Sequence, residues 1–460
     1  MSIDKKIIKK FRDIIGQKGV LDSPAELISY SYDATTEWQA LPDVVLLPKT
    51  KKQISDIMKI AYKYEIPVTV RGAGTNVSGG SIPIAGGIII CTTRMNRILE
   101  FDKDNLFIKV EAGVVLNDLY EFLKKYNLFF PPDPQSFLAA TIGGCISENS
   151  GGPYAIKYGV FKHYLLGIEI VLPNGDVIEM GGKTVKNVTG YDLPQLICGS
   201  EGTLAIVTDA ILRLIPMPPA RKTILSAFKD VVSAGKVVSK IISKGIIPAK
   251  IELMDNWVIK RIEEINPIGL PTESDAVLLF EVDGVIEAVE KEAKDIVSIC
   301  KNYGNITKLK IAENNVEAEK IWMARRAGFS AIFGYAPTVL AEDVCVPPKR
   351  LPELIIKIKE IAKSYDLTIV IIGHAGDGNL HPSILTDKNN PEHYKKAQEA
   401  VNKIFSLAIE MDGAISGEHG IGLEKRKFLK KIISKEELEI LKSIKKVFDP
   451  KGILNPGKIW

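Results

Sequence analysis

Arg71-Gly72-Ala73-Gly74-Thr75-Asn76-Val77-Ser78-Gly79-Gly80 follows a strand-like run at 67–70 and leads, through Ser81-Ile82-Pro83-Ile84, to another at 87–92. A run of backbone N–H groups without bulky side chains can cradle a pyrophosphate, and Arg71 could add a cation. A nicotinamide-binding Rossmann loop needs a helix whose N-terminus meets the phosphates. Here a strand comes next, so NAD is disfavoured. No GxxxxGK[ST] stretch occurs, which argues against an ATPase. A single glycine loop is also what a plain turn looks like. Glycine recurs, however, at Thr141-Ile142-Gly143-Gly144, at Asn149-Ser150-Gly151-Gly152 and at 199–202. Several close backbone approaches before one boundary imply a large, extended dinucleotide.

Outward from that loop, 43–47 reads as a strand. Residues 51–64 read as a helix, with Ile54, Ile57, Met58 and Ala61 at helical spacing. Strands are expected at 106–112, 166–172 and 202–215, and a helix at 116–125. Ile215-Pro216-Met217-Pro218-Pro219 reads as a linker. Beyond it come two strand–helix–strand units, 223–253 and 276–311, which suggest an antiparallel sheet covered by helices in an α+β arrangement. A long helix over 313–333 carries Trp322, Arg325 and Arg326, and helices fill much of 391–447. The expected division is a helical lead-in at 1–37, a first domain at 38–217, a second at 218–411 and a C-terminal segment at 412–460.

At 460 residues the chain exceeds one core. Its net charge of +4, from 60 basic and 56 acidic residues, is well mixed. No basic stripe with interleaved aromatics points to nucleic acid. The five cysteines form no CxxC pair, which excludes a zinc knuckle or an iron–sulfur ligand set within this chain. Scattered thiols fit a reducing cytosol. No signal-like or membrane-length apolar run is present. The expected location is therefore cytoplasmic, with peripheral attachment to a membrane through a partner left open.

Three of the five histidines fall in Gly373-His374-Ala375-Gly376-Asp377-Gly378-Asn379-Leu380-His381 and Ser416-Gly417-Glu418-His419-Gly420-Ile421-Gly422. The first segment reads as two strands joined by a tight turn with Asp377-Gly378 at its tip. His374 and His381 would face each other across its mouth. Glu418 can complete a site of two histidines and one carboxylate for zinc, iron or manganese. His419 would point elsewhere and be free to act as a base. The bland alternative, turn histidines bonded to backbone, is disfavoured by their clustering. Arg325 could pair bidentately with a substrate carboxylate. Arg326 reads as a surface ion pair, His163 as structural, His393 as solvent-facing, and the lysines of 425–431 as a solvated helix face.

RGAGTNVSGG at 71–80, PPDP at 131–134, ATIGG at 140–144, ENSGG at 148–152, GSEGTL at 199–204, GHAGDGNLH at 373–381, SGEHGIG at 416–422 and LNPGK at 454–458 together carry a resemblance. The chain resembles the FAD-linked oxidoreductases of the vanillyl-alcohol oxidase/p-cresol methylhydroxylase class. Within that class it is similar to the group of glycolate oxidase FAD subunits, D-lactate dehydrogenases and D-2-hydroxyglutarate dehydrogenases. The resemblance implies an FAD-binding domain of that type, an α+β substrate domain with an antiparallel sheet, and C-terminal helices returning to the flavin. It implies FAD contacts at Arg71, Gly72, Gly74, Thr75, Asn76, Thr141, Gly144, Asn149, Glu201, Gly202, Ile206 and Asn455. The FAD would be non-covalent, because no histidine lies in the first loop. It also implies a divalent metal on His374, His381 and Glu418, with His419 as base and Arg325 and Asn379 at the substrate.

The implied reaction is oxidation of a D-2-hydroxy acid, D-lactate or glycolate, to the 2-oxo acid. Electrons would pass to an iron–sulfur subunit, an electron-transferring flavoprotein or a quinone, and a homodimer is left open. Leu340-Ala341-Glu342-Asp343 lacks the lysine that the 2-hydroxyglutarate enzymes carry there, which lowers the expectation for that dicarboxylate. That substrate, another alcohol, and a purely electron-carrying FAD subunit remain the alternatives.

Overall fold

A computed structural model describes residues 3–35 and 37–460, so the part of the lead-in reading that falls on Met1, Ser2 and Thr36 lies outside them. The chain forms two compact units. Unit 1 contains Met1–Ser150, Val160–Met217 and Glu418–Trp460, and unit 2 contains Gly151–Gly159 and Pro218–Gly417.

In unit 1, α1 (Lys5–Ile15) precedes β1 (Val20–Leu21), β2 (Val44–Leu46), α2 (Lys51–Tyr64), β3 (Val68–Arg71) and β4 (Ile88–Cys91). The strands lie in the order β1-β2-β4-β3, with β2, β4 and β3 parallel. Helix α2 starts where Thr50 accepts the Gln53 N–H at 3.3 Å and stops at Glu65 in the left-handed region, φ 53°. Ile54, Ile57, Met58 and Ala61 are fully buried against the sheet. Each large side chain among them contributes about 1.5–3 kcal/mol relative to exposure.

A second sheet follows, built from β5 (Ile98–Asp102), β6 (Phe107–Glu111), β7 (Leu165–Val171), β8 (Val177–Gly181) and β9 (Ile206–Arg213). Its order is β5-β6-β9-β7-β8, all antiparallel. After β6 come α3 (Leu116–Lys124) and then α4 (Ile142–Glu148), the latter inside what reads in sequence as a glycine-rich loop. Its glycines serve close packing: a Cβ on Gly143 would come within 2.8 Å of the Ala112 Cβ. Thr141 caps this short helix by accepting the Gly144 N–H.

Unit 2 is an antiparallel sheet with helices, as expected. Its elements begin with β10 (Ala220–Phe228), α5 (Val231–Ser243), β11 (Lys250–Asp255), α6 (Asn256–Ile265), β12 (Ala276–Gly284), α7 (Ile286–Tyr303) and β13 (Ile306–Ile311). They continue with α8 (Asn315–Phe333), β14 (Thr338–Ala341), β15 (Val344–Cys345), α9 (Leu351–Tyr365), β16 (Thr368–His374), β17 (Asn379–Thr386) and α10 (Pro391–Glu410). The strand order is β13-β10-β12-β11-β16-β17-β14, and β15 also pairs with β17. One sheet face packs Leu225, Met254, Leu279, Val370 and Ile372 against Val258, Ile259 and Ile262 of α6 and Ile321 and Trp322 of α8. Residues Gly151–Gly159 strap onto this unit: Tyr154 Oη donates to Glu281 at 2.9 Å, and Lys157 pairs with Asp283 at 2.5 Å.

The chain enters unit 1 again at Glu418, forms α11 (Lys435–Phe448), and runs beside β3. Val68 N–H donates to Ile453 at 2.8 Å and Asn455 N–H donates back to Val68 at 2.7 Å. No helix among the described residues is long and apolar enough to cross a membrane.

Candidate active site

In unit 1, β3 ends at Arg71 and the chain turns through the glycine-rich loop. Gly72 sits so tightly that a Cβ would lie 2.2 Å from Thr141 Oγ1. Gly74 has φ +74°, and a Cβ there would lie 2.0 Å from the Arg71 guanidinium. Asn76 closes the loop: its Oδ1 accepts the N–H groups of Ser78 at 2.9 Å and Gly80 at 2.7 Å. The backbone N–H groups of Ala73 through Val77 donate to no acceptor among the described residues. Such a row of unpaired donors fits a phosphate, and the missing side chains leave room for one. Arg71 is 7% exposed and donates to the Tyr32 carbonyl at 2.6 Å, so it braces the loop from behind. Burial lowers its pKa, opposed by the neighbouring Asp33 carboxylate.

The other residues expected to meet FAD gather on the same framework. Glu201, in the left-handed region at φ 51°, accepts the N–H groups of Ile421 and Gly422 at 2.7 Å each. Asn455 Nδ2 donates to the carbonyls of Gly80 at 3.0 Å and Glu201 at 2.7 Å, tying the C-terminal segment to the loop. Gly202 has φ +65°, and Asn149, φ 51°, accepts the Lys162 N–H at 3.0 Å. Thr141 and Gly144 form the cap of α4. Ile206 is fully buried in the core at the start of β9. Thr75 lies in the row of unpaired N–H groups. The carbonyl of His419 accepts from Ser78 Oγ at 3.0 Å and Asn76 Nδ2 at 3.5 Å, which anchors the second histidine segment to the same loop.

Lys425 corrects one expectation: it is fully buried, not on a solvated face. It lies among buried acids. Burial raises the Glu148 pKa well above the usual range, with the charges of Glu201 and Asp33 adding to it, and Lys425 opposes the rise. Glu201 is raised by burial as well, against the Ile421 and Gly422 N–H groups and Lys425. A lysine is buried there because the carboxylates need a counter-charge.

In unit 2 the first histidine segment is the predicted hairpin, with β16 and β17 paired antiparallel. The histidines are not directly opposite. His374 faces Asn379, and His381 faces Ile372. The two histidines are diagonal neighbours on one face, their rings 5.2 Å apart and near perpendicular at 86°. A ring nitrogen of each lies within 4.8 Å of the other. The turn demands glycine at 378: φ is +82°, and a Cβ would meet the Val346 carbonyl at 1.9 Å.

On its other side β16 pairs with β11, which sets Glu252 opposite His374. Glu252 is fully buried. Its Oε1 lies 2.7 Å from His374 Nδ1, and its Oε2 lies 2.7 Å from Arg325 Nη2 in an ion pair. Burial alone would raise the Glu252 pKa; His374 and Arg325 outweigh it and hold the carboxylate below its ordinary range. Arg325 is 6% exposed, and its Nε has no hydrogen-bond partner among the described residues. Arg326 pairs with Glu319 at the surface.

Asp343 is the second carboxylate the sequence reading did not single out as part of the site. It is fully buried just after β14. Asn379 Nδ2 donates to it at 2.6 Å, and Ser416 Oγ and Gly417 N–H each at 2.8 Å, while His381 Nδ1 lies 3.9 Å away. The available signal for Glu252 is a lone acid in the apolar run Ile251-Glu252-Leu253-Met254 of a central strand. His163 Nδ1 accepts the Val160 N–H at 3.0 Å, a structural role. His393 is half-buried and bonded to Thr386 Oγ1 at 2.8 Å rather than solvent-facing, because it starts α10 beside the end of β17.

The loop of unit 1 and the charged hairpin of unit 2 describe a flavin-dependent oxidoreductase, and the chain belongs to the FAD-linked oxidases. Residues 217–459 match the family described as FAD linked oxidases, C-terminal domain, and residues 42–181 match FAD binding domain. The chain is 43% identical to glycolate oxidase subunit GlcD of Bacillus subtilis (strain 168), covering 100% of this chain and 97% of that one. It is 34% identical to D-lactate dehydrogenase of Anaerostipes hadrus, covering 99% and 98%. Among solved structures, p-cresol methylhydroxylase with substrate bound shares the fold: TM-score 0.79, 19% identity, 99% of this chain and 96% of that one.

Proposed function

We propose that the chain oxidises a D-2-hydroxy acid, D-lactate or glycolate, to the 2-oxo acid. The names of the glycolate oxidase and D-lactate dehydrogenase relatives support that substrate class. The observation that carries it is Arg325: a buried guanidinium with an uncommitted Nε, on the same charged cluster as His374. An unmet buried donor costs about 1–3 kcal/mol, and a substrate carboxylate would satisfy it.

The metal ligands would be His374, His381 and Glu418. The two histidines offer nitrogens within reach of one ion. Glu418 follows Gly417, whose N–H is held by Asp343, and consecutive Cα atoms are about 3.8 Å apart. Bound FAD supplies the two-electron acceptor, and a zinc, manganese or iron ion supplies a Lewis acid at the substrate hydroxyl.

Arg325 holds the substrate carboxylate. Both N–H groups of Asn379 are committed to Asp343 and the Val344 carbonyl, so its carbonyl oxygen is the atom turned to the substrate. A ring nitrogen of His419 takes the hydroxyl proton, a role worth roughly 10²–10⁴-fold in rate. With that proton taken, the C=O bond forms and the C–H electron pair would leave as hydride, for which FAD held at Gly72, Gly74, Thr75 and Asn76 would supply the acceptor. FAD is held without a covalent bond, since the loop at 71–80 contains no histidine. The relative is named as a subunit, which supports a partner protein as the recipient of the electrons; the candidates are an iron–sulfur subunit, an electron-transferring flavoprotein or a quinone.

Anaerobic stopped-flow mixing tests this reading. D-lactate or glycolate is expected to bleach the flavin, and His419→Ala to keep FAD while losing roughly 10²-fold or more of the reduction rate. Reduction of that variant at the wild-type rate would place the base elsewhere. D-2-hydroxyglutarate is expected to react more slowly, because Glu342 and Asp343 stand where a cation would help its distal carboxylate. A preference for that dicarboxylate would overturn the substrate assignment.

A further inference from the structure

We infer that Glu252 is the positioning residue of this site, setting which nitrogen of His374 faces the metal while holding Arg325 beside it. The inference rests on the metal reading above and deepens it. Strand register places Glu252 opposite His374, so the pair is built into the sheet and does not depend on a mobile loop. The carboxylate is fully buried, with one oxygen 2.7 Å from His374 Nδ1 and the other 2.7 Å from Arg325 Nη2. An ionised carboxylate can only accept hydrogen bonds. With Nδ1 engaged by that carboxylate, Nε2 is the ring nitrogen turned away from Glu252, and a neutral ring with its hydrogen on Nδ1 would ligate a metal there.

A carboxylate behind a ligating histidine fixes the ring and raises its basicity, and losing such a partner typically weakens metal binding about 10–100-fold. A purely structural ion pair would have no such effect, and buried pairs are weak sources of stability. Glu252 touches neither substrate nor flavin in this scheme. It acts through His374 and Arg325.

Two measurements on the FAD-loaded full chain test the role. Zinc titration of Glu252→Gln is expected to give about 10–100-fold weaker affinity than wild type, with flavin content unchanged. The second needs no change at Glu252: ¹⁵N-histidine NMR of metal-free wild type, with His374 assigned by its loss in His374→Gln, is expected to show the Nδ1–H tautomer. Wild-type zinc affinity in Glu252→Gln, or an Nε2–H tautomer at His374, overturns the inference. Wild-type protein that takes up no zinc, manganese or iron sinks the metal reading itself. Uptake by wild type with equal affinity in Glu252→Gln sinks the role of Glu252 alone.

Discussion

Asp33 illustrates how much single residues here depend on burial. Its carboxyl is pushed up to about 6 from 3.8, by burial first, against the Thr35 N–H, Arg71, Ser81 and Lys458. The folded state thus binds this proton more tightly than the unfolded chain. The stability it contributes is complete below 3.8 and is lost as pH rises through about 6. Asp33→Asn is therefore expected to gain on wild type across that window, by up to about 1.4 kcal/mol per pH unit. Thermal unfolding of both proteins at several pH values checks this, and a difference that does not change with pH would refute it. Neither this environment nor the buried Lys425 can be read from composition, because a charged residue announces its type and not its depth. The clustered His374 and His381 stand out in sequence, whereas Asn379 is marked only by the family resemblance and Arg325 shares its helix with a surface arginine, Arg326. Glu252 and Asp343 are visible as letters, but their partners lie 122 and 73 residues away in sequence.

At the scale of elements, the glycine loop and the hairpin follow from local rules. The apolar runs mark the strands on either side, and Asp377-Gly378 sits at the turn. The loop is specified tightly enough to test. Gly72→Ala would drive its Cβ into Thr141 Oγ1, 2.2 Å away, and displace the cap of α4 along with the row of N–H groups. Purified Gly72→Ala is expected to carry much less FAD per chain, read from flavin absorbance, while keeping wild-type far-ultraviolet circular dichroism. Full flavin content would show that the loop tolerates the shift. Helix α4 is hidden in sequence because Gly143 and Gly144 look like loop residues, although here small size serves packing against Ala112. Helix α9 lies outside the sequence reading even though Leu351, Leu354, Ile355 and Ile358 have helical spacing and are fully buried. Helix α6 starts directly after β11 under the Asp255 cap, with no Gly or Pro to mark the boundary.

For the whole molecule, the residues proposed for FAD lie on the segments 71–76, 141–149 and 201–206 and at Asn455, and those proposed for the metal lie on 374–381 and at Glu418, which belongs to unit 1. Metal and flavin should therefore be separable. Chelation is expected to abolish hydroxy-acid oxidation while FAD stays bound, and added zinc or manganese to restore activity. Loss of FAD on chelation would contradict separate sites, and full activity in metal-free protein would end the metal proposal. The amino-acid sequence alone determined the glycine-rich loop after β3, the strand-helix-strand units, the antiparallel hairpin and the family, because each rests on local spacing or on contiguous motifs. Only the tertiary structure decided that Gly151–Gly159 straps to unit 2 and that Glu418–Trp460 folds back into unit 1. It also decided that Glu252 stands behind His374 and that Asp343 holds Gly417. Those facts depend on strand register and on contacts between distant segments, and local sequence carries the tendency of a strand to form but not the identity of its neighbour.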